Sequence, residues 1–531
     1  MKKLACVVLF LFYCPWILAQ LSQPPSIKGV QNAASNAPDA LPYSEIAPGS
    51  MFVIKGIRMG PNNTEVATDF PLPTEIAGTS VQISIGGLAL DGIMYYSLNT
   101  QVAVILPSTA PAGEGTVTVT YQGQVSQPYP IKVVPHSLGL FTLLQNGSGA
   151  AVAFLNGASL ISAGNSVNPG EVAVFWGTGL GAVQGDDSMP AQQSDLTNVP
   201  VSAFVGGQPA EVLFRGRNAC CASIDTVYVK VPDGVSGCMV PVMFTIGDRV
   251  SNISTVSIAE SGRTCEPNVP WVSREQLGQL VSQDSVRNGV INLGRGRNWD
   301  LSGSPPPLAE AATGVFSVSR PLFEVGLWMG SVMYGQCTTS SGGGSYVPLK
   351  LGALAVGDQI EISGPGGKKV LTPNATSLGY YEQRDLSDPI LPPGSYMVTA
   401  DGSADVPAFT TMLNVPAEFQ ADIESIPVEI DRSQDLVVRW SGGDPDGYVL
   451  VRGRSSATSL TVIGTFWCYE KTSAGTLTIP AIILGTLPAS SVGSNGFSIG
   501  SYSLQQFQAE GLDFGLVGTS DEIAVSGFVF K

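Results

Sequence analysis

NPGEVAVFWGTGLG, the stretch from Asn168 to Gly181, decides the fold, because APGSMFVIKGIRMG repeats its pattern without a gap from Ala47 to Gly60, 121 residues earlier. In both copies a Pro-Gly turn leads into an apolar run that ends at glycines. That order is typical of a β-strand closed by a tight loop. A repeated unit of turn, strand and glycine loop therefore sets the architecture of this part of the chain.

The match continues downstream of the repeated stretch. Val81–Gly87 corresponds to Val201–Gly207, and Val102–Pro107 corresponds to Val227–Pro232. Each copy thus spans roughly a hundred residues of short strands, which is the size of an immunoglobulin-like sandwich.

We expect an all-β protein: tandem immunoglobulin-like β-sandwiches followed by a C-terminal β-rich region with one or two short helices. Single cores stop growing beyond about 250–300 residues, so a chain of 531 residues should divide into several domains. The predicted boundaries are a first sandwich at 31–135, a second at 136–267, a β-sandwich-like domain at 270–415 and a C-terminal β-domain at 416–531. Whether the last two are separate or form one larger fold stays open.

Two segments of the C-terminal region have helical signals. Ser273 precedes Gln276 by three residues and an apolar i, i+3, i+4 pattern follows, which predicts a capped short helix. Pro480 is suited to a first helical turn, so the segment Ala481–Leu487 is predicted to be a second short helix.

Glycine-rich turns separate the strand patterns of this region. Gly364–Gly367 is interpreted as a hairpin turn. Gly443–Gly447, with the sequence GDPDG, has turn chemistry, which predicts a hairpin between the strands Asp435–Trp440 and Tyr448–Arg452.

The N-terminus has the pattern of a secretory signal. Lys2 and Lys3 precede the apolar run Leu4–Leu18 and the small residue Ala19, so we predict a signal peptide at residues 1–19 and an exported mature chain. No later apolar run reaches the ~18–20 residues that span a bilayer, which predicts no transmembrane segment in the mature chain. The location is then the periplasm, the cell surface or the secreted fraction.

The chain is acidic, with a formal net charge of -16. Proteins that bind nucleic acid need clustered positive charge, so this balance disfavours DNA or RNA as a partner. We interpret the acidity mostly as a solubility property.

The mature chain keeps an even number of cysteines, which in an exported protein indicates disulfides. Cys337 is predicted to pair with Cys468. The other four pair within the second sandwich, either with Cys220 and Cys221 bonded to Cys238 and Cys265 in one of two ways, or as Cys220–Cys221 and Cys238–Cys265. A zinc site is disfavoured, because paired C-x-x-C spacings are lacking and His136 is the only histidine. The six candidates are Cys220, Cys221, Cys238, Cys265, Cys337 and Cys468.

Catalytic motifs are present only in fragments. Gly496–Gly500 reads GFSIG and matches the nucleophile-elbow pattern, but that mechanism needs a histidine after the serine, and His136 lies far upstream. We interpret the segment as a turn and His136 as a surface or packing residue.

Gly177–Gly181 resembles a dinucleotide loop, yet a loop rather than a helix follows it, so a structural role is favoured. We therefore assign no catalytic residue, no metal ligand and no cofactor.

Acidic pairs leave two minor alternatives. Asp444 with Asp446, and Asp186 with Asp187, resemble the beginnings of calcium sites but lack further oxygen ligands at the expected spacing. Paired carboxylates of a glycoside hydrolase are a spatial feature that a sequence does not reveal.

The repeat carries a family resemblance. Asn32–Ser35, Ala47–Gly49 and the cysteine-bearing end Gly262–Cys265 resemble uncharacterised secreted proteins of soil acidobacteria, whose repeats are similar to IPT/TIG immunoglobulin-like modules. The resemblance covers residues 31–265. It implies an exported array of β-sandwiches, and it supplies no catalytic residues.

These observations favour an exported, non-enzymatic binding or adhesion protein. Its partner would be an envelope component, an extracellular polymer or a protein. Loops at sandwich ends usually carry such function, so the candidates are Pro61–Thr79 and Gln184–Asn198, which we expect at equivalent ends of the two sandwiches. The alternatives are an exported hydrolase with a carboxylate-based active site in residues 270–531, and a purely structural envelope component.

Overall fold

The structure is a computed structural model that describes residues 23–38, 41–191, 194–267, 269–301, 309–320, 335–341, 350–384, 391–456, 463–491 and 493–531. The predicted signal peptide, residues 1–19, lies outside the described residues. The chain is all-β with tandem immunoglobulin-like domains, and the predicted fold class is confirmed. Neither described helix is both long and apolar enough to cross a membrane.

The first sandwich consists of two sheets that enclose one hydrophobic core. Its strands are β1 Ser26–Asn32, β2 Met51–Ile57, β3 Glu65–Val66, β4 Glu75–Ile76, β5 Thr79–Ile85, β6 Leu88–Asp91, β7 Ile93–Leu98, β8 Gln101–Ile105, β9 Gly113–Tyr121, β10 Gln124–Val125 and β11 Tyr129–Val133. One sheet has the order β1-β2-β8-β7-β3, and in the other β9 pairs with β5, β10 and β11 while β5 also pairs with β4 and β6. Because β1 starts at Ser26, the first sheet begins ahead of the boundary predicted at residue 31.

The second sandwich repeats this arrangement around its own core. Its strands are β12 Gly139–Leu140, β13 Ala153–Leu155, β14 Ser159–Leu160, β15 Val172–Thr178, β16 Ser194–Asp195, β17 Val201–Val205, β18 Gln208–Arg217, β19 Asp225–Lys230, β20 Gly237–Ile246, β21 Arg249–Val250 and β22 Ser254–Ile258. The two copies of the repeated stretch form β2 and β15, as predicted.

One strand differs between the two sandwiches. β18 pairs with β17 through its first residues and with β19 through the rest, so it crosses from one sheet to the other. In the first sandwich Gly92 divides the same path into β6, which pairs with β5, and β7, which pairs with β8.

The C-terminal region is a larger β-structure, whose described residues include two short helices, α1 Arg274–Val281 and α2 Ala481–Leu484, and two 3-10 turns at Ile423–Ser425 and Thr472–Ala474. Its strands are β23 Val286–Asp300, β24 Ala309–Ser319, β25 Gln336–Ser341, β26 Lys350–Ala353, β27 Ile360–Gly364, β28 Gly367–Pro373, β29 Tyr380–Arg384, β30 Gly394–Ala400, β31 Phe409–Val415, β32 Gln420–Ala421, β33 Glu429–Ile430, β34 Leu436–Ser441, β35 Tyr448–Ser456, β36 Ile463–Lys471, β37 Thr476–Ile479, β38 Gly496–Phe507, β39 Phe514–Ser526 and β40 Val529–Phe530. The Ser273 side chain caps α1 by accepting from the Gln276 amide, as predicted.

One continuous sheet joins the two halves of this region. It runs in the order β25-β36-β35-β38-β39-β23-β24-β29-β28-β27-β30-β31, and its centre is the parallel pair β23 and β39. Two separate hydrophobic cores contact one face of this sheet, one with Ile291 and Leu293 and the other with Ile523 and Val525, and a third cluster, which includes Leu516 and residues of α1, contacts the other face. The third and fourth predicted units therefore share a sheet and keep distinct cores.

A buried ionic row separates the two cores. Arg295 lies opposite Glu310 in the antiparallel pair and opposite Asp521 in the parallel pair, so the three charged residues line up across adjacent strands. Arg295 Nη2 lies 3.0 Å from Asp521 Oδ2, which also accepts a hydrogen bond of 3.1 Å from the Phe419 amide. Burial raises the pKa of the Asp521 carboxyl, and Arg295 acts against that rise. The segment that connects the two cores, from Val415 in one to Phe419 in the other, therefore passes next to the ionic row.

Two local predictions for this region are wrong. Gly443–Gly447 does not join a hairpin: β34 pairs with β32 and β37, whereas β35 pairs with β36 and β38 in the large sheet. The turn connects two strands that belong to different sheets. Each strand pairs with strands elsewhere in the chain, and the sequence of the turn does not determine those pairings. Gly496–Gly500 is not a turn but the beginning of β38, where Ser498 is buried opposite Arg452 and Ala524. The hairpin turn at Gly364–Gly367 is confirmed.

Candidate functional site

The turn that begins the first copy of the repeat packs on the glycine loop that ends the second copy. Ser223 Oγ donates a hydrogen bond of 2.8 Å to the Gly49 carbonyl oxygen, and Thr178 Oγ1 accepts one of 2.9 Å from the Met51 amide. Gly49 has a φ of 72°, and a β-carbon there would clash with the Arg217 guanidinium. Only glycine fits this turn, because its conformation and its close approach both exclude a side chain.

A buried ion pair between Arg217 and Asp225 holds the glycine loop Gly177–Gly181 in its conformation. Asp225 accepts hydrogen bonds from the amides of Gly179 and Leu180 at 2.6 and 2.7 Å, and from Arg217 Nη1 at 2.6 Å. Arg217 Nη2 donates to the Gly181 carbonyl oxygen at 2.8 Å. Complete burial raises the pKa of Asp225, and Arg217 and the two amides oppose that rise. The amides that a dinucleotide would need are thus bound by a carboxylate, so the loop has a structural role.

Further contacts extend this joint between the two sandwiches. Arg249 forms a two-pronged ion pair with Glu45, at 2.7 and 3.3 Å, and Asp187 accepts from the Ser108 amide and hydroxyl at 2.6 and 2.8 Å. A small apolar cluster also includes residues of both sandwiches: Met51, Leu72, Ile93, Ile105 and Ala222. The two sandwiches are therefore joined by a buried interface.

The two predicted binding loops meet at this joint. Both ends of the loop Pro61–Thr79 lie at the far end of the first sandwich, but its middle reaches the joint, where the Leu72 amide donates to the Ser188 carbonyl oxygen at 2.8 Å. Ser188 belongs to the second loop, Gln184–Asn198, of which residues 192–193 lie outside the described part. Both loops follow the glycine-terminated strands β2 and β15, as expected from the repeat, but the head-to-tail stacking of the sandwiches brings them into contact, so they do not form two separate binding edges.

The glycine-loop end of the first sandwich, opposite the joint, forms an open cleft of about 240 Å³, which we call the tip cleft. The turns that line it follow β2, join β7 to β8 and follow β9. In the second sandwich the corresponding turns follow β15, join β18 to β19 and follow β20. Those turns contact the first sandwich at the joint. The lining residues are Gln23, Arg58, Gly60, Asn62, Asn99, Tyr121, Gln122 and Gln124.

The tip cleft is rich in side-chain amides. Asn99 Nδ2 donates to Asn62 Oδ1 at 3.2 Å, and Gln122 Nε2 donates to the Tyr121 hydroxyl at 3.2 Å. Arg58 Nε is held by the main-chain oxygens of the N-terminal segment. Each amide can donate and accept at once, as hydroxyl groups do. This arrangement is suited to binding a neutral ligand with many hydroxyl groups.

The tip cleft has lost the groups that form the joint in the second sandwich. In the repeat register Ile57 replaces Thr178, and Thr100 replaces Asp225. Ile57 is 50% exposed. Another Pro-Gly turn would therefore find neither the Thr178 hydroxyl nor the ion pair that holds Gly49, so the tip cleft lacks the groups that bind a domain at this position in the second sandwich.

Sequence reasoning found only part of this site. Asn62 belongs to the predicted loop Pro61–Thr79, but Asn99, Tyr121 and Gln122 were missed. Their signal lay in the repeat itself: the three turns at the glycine-loop end of the second copy have counterparts in the first, and those counterparts are rich in Asn and Gln.

The other singled-out residues have structural partners. His136 Nδ1 lies 2.7 Å from the Leu180 carbonyl oxygen at the joint. Asp186 accepts from the Ser188 amide and hydroxyl, and Asp444 accepts from the Asp446 amide and the Ser503 hydroxyl. Among the residues that the structure describes, no group of three His, Cys, Asp or Glu side chains is placed to hold a metal ion.

The cysteines form Cys220–Cys221, Cys238–Cys265 and Cys337–Cys468. The pairing Cys337–Cys468 agrees with the prediction, and it links β25 to β36. In the second sandwich the structure selects the alternative in which adjacent cysteines bond each other. That pair lies in the loop between β18 and β19, next to the joint residue Ser223.

In the described part of residues 270–531, the ionic row brings two carboxylates close to each other, so it is the place to examine the carboxylate-based alternative. Glu310 accepts from the Leu391 amide at 3.4 Å, and Asp521 is bound by Arg295 and the Phe419 amide. Arg295 stands between the two carboxylates. Such a row ties strands together, and its geometry differs from two carboxylates that face a substrate across an open pocket.

Comparisons with known proteins show similarity of architecture only. No protein-family model matches the chain, and no curated protein matches it. Similar solved structures include the full extracellular region of plexin A4, at 9% identity over 88% of this chain and 31% of that chain, with a TM-score of 0.16. The chain thus spans less than a third of that plexin region.

Two further structures have comparable likeness. The Bacteroides ovatus mixed-linkage glucan utilization protein SGBP-B, in complex with a mixed-linkage heptasaccharide, is 12% identical over 80% of this chain and 91% of that chain, with a TM-score of 0.13. The N-terminal four immunoglobulin domains of Dscam1 are 9% identical over 95% of this chain and 100% of that chain, with a TM-score of 0.12. At such TM-scores the likeness carries no argument about function.

Proposed function

We propose that this chain is an exported, non-enzymatic binding protein, and that its tip cleft binds a neutral polysaccharide of the cell envelope or its surroundings. The observation that carries the proposal is the amide-lined cleft at the glycine-loop end of the first sandwich. The equivalent end of the second sandwich binds the first sandwich.

The chemistry of the lining supports a saccharide. Sugar hydroxyls donate and accept hydrogen bonds, and the amides of Asn62, Asn99 and Gln122 offer both kinds of partner. The Tyr121 ring can pack on the apolar face of a sugar ring while its hydroxyl stays hydrogen-bonded. The lining contains no carboxylate, so a general acid and base for glycoside cleavage are not supplied there.

The three disulfides support export, because such bonds persist in oxidising compartments. Periplasm, cell surface and secreted fraction are all compatible with this proposal.

The test is binding of the mature protein to a panel of soluble neutral polysaccharides, β-glucan, xyloglucan and galactomannan, and to neutral polysaccharide from its own envelope, by affinity electrophoresis and calorimetry. Loss of a single hydrogen bond weakens binding by about threefold to tenfold. We therefore expect Gln122→Ala and Tyr121→Ala to reduce affinity by at least that factor.

Matched controls lie outside the cleft. Gln279→Ala removes an exposed amide from α1, and Tyr95→Ala removes an exposed ring from β7. Both should bind as the unaltered protein does. Absence of binding to every member of the panel would contradict the proposal, as would equal binding by tip and control variants. Release of reducing ends that is abolished by a carboxylate substitution in residues 270–531 which leaves the thermal unfolding of the protein unchanged would instead establish the hydrolase.

A further inference from the structure

A second cleft, of about 360 Å³, lies where the first sandwich meets the C-terminal region. We call it the junction cleft. Tyr43, Glu45 and Lys132 line it from the first sandwich, and Arg432 and Pro488 line it from the C-terminal region. Ligand sites often occur at such interfaces between domains.

Positive charge exceeds negative charge among these side chains. Glu45 is bound by Arg249 of the second sandwich through both carboxylate oxygens, and Lys132 Nζ lies 3.6 Å from Glu45 Oε1. Among the lining residues Lys132 and Arg432 are cations and Glu45 is the carboxylate. Asp431, the neighbour of Arg432, is exposed, accepts from the Ser433 amide and hydroxyl, and interacts electrostatically with Arg432.

Arg432 is held in a fixed orientation at this place. Its Nη1 donates to the Leu487 carbonyl oxygen at 2.6 Å, and its Nε donates to the Lys531 main-chain oxygen at 3.1 Å. Burial lowers the pKa of Arg432, so its charge is partly removed from water. A guanidinium that is pre-oriented and partly desolvated binds a carboxylate or phosphate more strongly than a freely moving surface arginine.

Tyr43 adds an aromatic side chain to the same cleft. Its φ is 62°, in the left-handed region that non-glycine residues seldom adopt. Its neighbours Leu41 and Ser44 are buried. Backbone strain of this kind persists where the surrounding structure fixes a side chain in a particular place.

We propose that the junction cleft binds an acidic sugar, with Arg432 and Lys132 on its carboxylate or phosphate group and Tyr43 against its ring. This site is separate from the tip cleft, and it does not depend on the function proposed there.

The test is calorimetry of the full chain at low ionic strength with trigalacturonate and with glucose 6-phosphate, and with maltotriose as the neutral probe. We expect at least one acidic probe to bind, more weakly as salt is added because charges on the surface are screened. Binding of trigalacturonate alone identifies the carboxylate, and binding of glucose 6-phosphate alone identifies the phosphate.

Arg432→Gln and Lys132→Gln should each weaken that binding by about tenfold or more. Lys132→Gln covers the case in which Arg432→Gln fails to fold, because Lys132 is exposed and Glu45 keeps its bonds to Arg249. Gln122→Ala, in the tip cleft, is the matched control and should bind the acidic probe normally. The proposal is overturned if neither acidic probe binds, if maltotriose binds equally well at this site, or if Lys132→Gln has no effect.

Discussion

Ser223 Oγ of the second sandwich lies 2.8 Å from the Gly49 carbonyl oxygen of the first, so the opening turn of one repeat copy is bound by the closing loop of the other. The two sandwiches thus stack head to tail. This stacking leaves the glycine-loop end of the first sandwich facing outward, and it is there that the amide-lined tip cleft lies.

Asn32 links the two sandwiches by side-chain hydrogen bonds, so its loss should weaken the joint. Its Nδ2 donates to the carbonyl oxygens of Ser137 and Thr178, both at 3.0 Å, while its Oδ1 accepts from the Ala34 and Ser35 amides. Asn32→Ala leaves these buried groups without partners, at a cost of about 3 kcal/mol in the free energy of unfolding.

Urea denaturation measures this loss. Asn165→Ala, which removes an amide that bonds outside the joint, should cost about 1 kcal/mol or less. Equal losses in the two variants would show that Asn32 does not hold the joint.

The ion pair of Arg217 and Asp225 should behave as one unit. Removing either partner leaves a buried charge, so Arg217→Met and Asp225→Asn should each destabilise the protein by about 3–5 kcal/mol. The double variant should lose clearly less than the sum of the two, because no unpaired charge is left behind. Chemical denaturation of the three variants completes the cycle, and simple additivity would refute the coupling.

The repeat and its strands were predictable because their signals are local. Pro-Gly turns, alternating strands and terminal glycines occur side by side in Asn168–Gly181, and the repetition confirms the pattern. The hairpin at Gly443–Gly447 failed for the opposite reason: the partners of β34 and β35 are strands far along the chain, and the turn contains no information about them. The tip cleft was mostly missed for the same reason, since Arg58, Asn99 and Gln122 come from turns that only the fold brings together.

Acid should remove the contribution of Glu45 to the joint. Burial alone would raise the pKa of Glu45, but its hydrogen bonds to Arg249 and the charges of Arg249 and Lys132 bring that pKa below its ordinary value of 4.5. The folded state therefore binds fewer protons than the unfolded state near this pH, so the stabilisation is present above about pH 4.5 and is lost as the pH falls through the lowered pKa.

Glu45→Gln removes this titration. Its stability should be lower by about 1–2 kcal/mol at neutral pH and should approach that of the unaltered protein in acid. Thermal unfolding across that pH range tests the sign, and a constant difference between the two proteins at every pH would contradict it.

The disulfide Cys337–Cys468 should stabilise the C-terminal region, because it closes a loop with a sequence separation of 131 residues. Replacing both cysteines by serine is expected to cost about 2–5 kcal/mol, mainly by freeing the unfolded chain. Denaturation of the double variant measures the loss. The tip cleft is in another domain, so neutral polysaccharide binding should be unchanged, and a parallel loss of that binding would argue against a separate site.

Hydrogen exchange of the mature protein with and without its best-binding neutral polysaccharide tests the central claim most directly. The predicted result is slower exchange at three turns of the first sandwich together, residues 56–62, 97–101 and 119–125, because bound ligand restrains the backbone that carries the tip cleft. The corresponding turns of the second sandwich, residues 177–181 and 218–225, are already held in the joint and should not change. Protection confined to residues 270–531, with none at the three turns, would contradict the account.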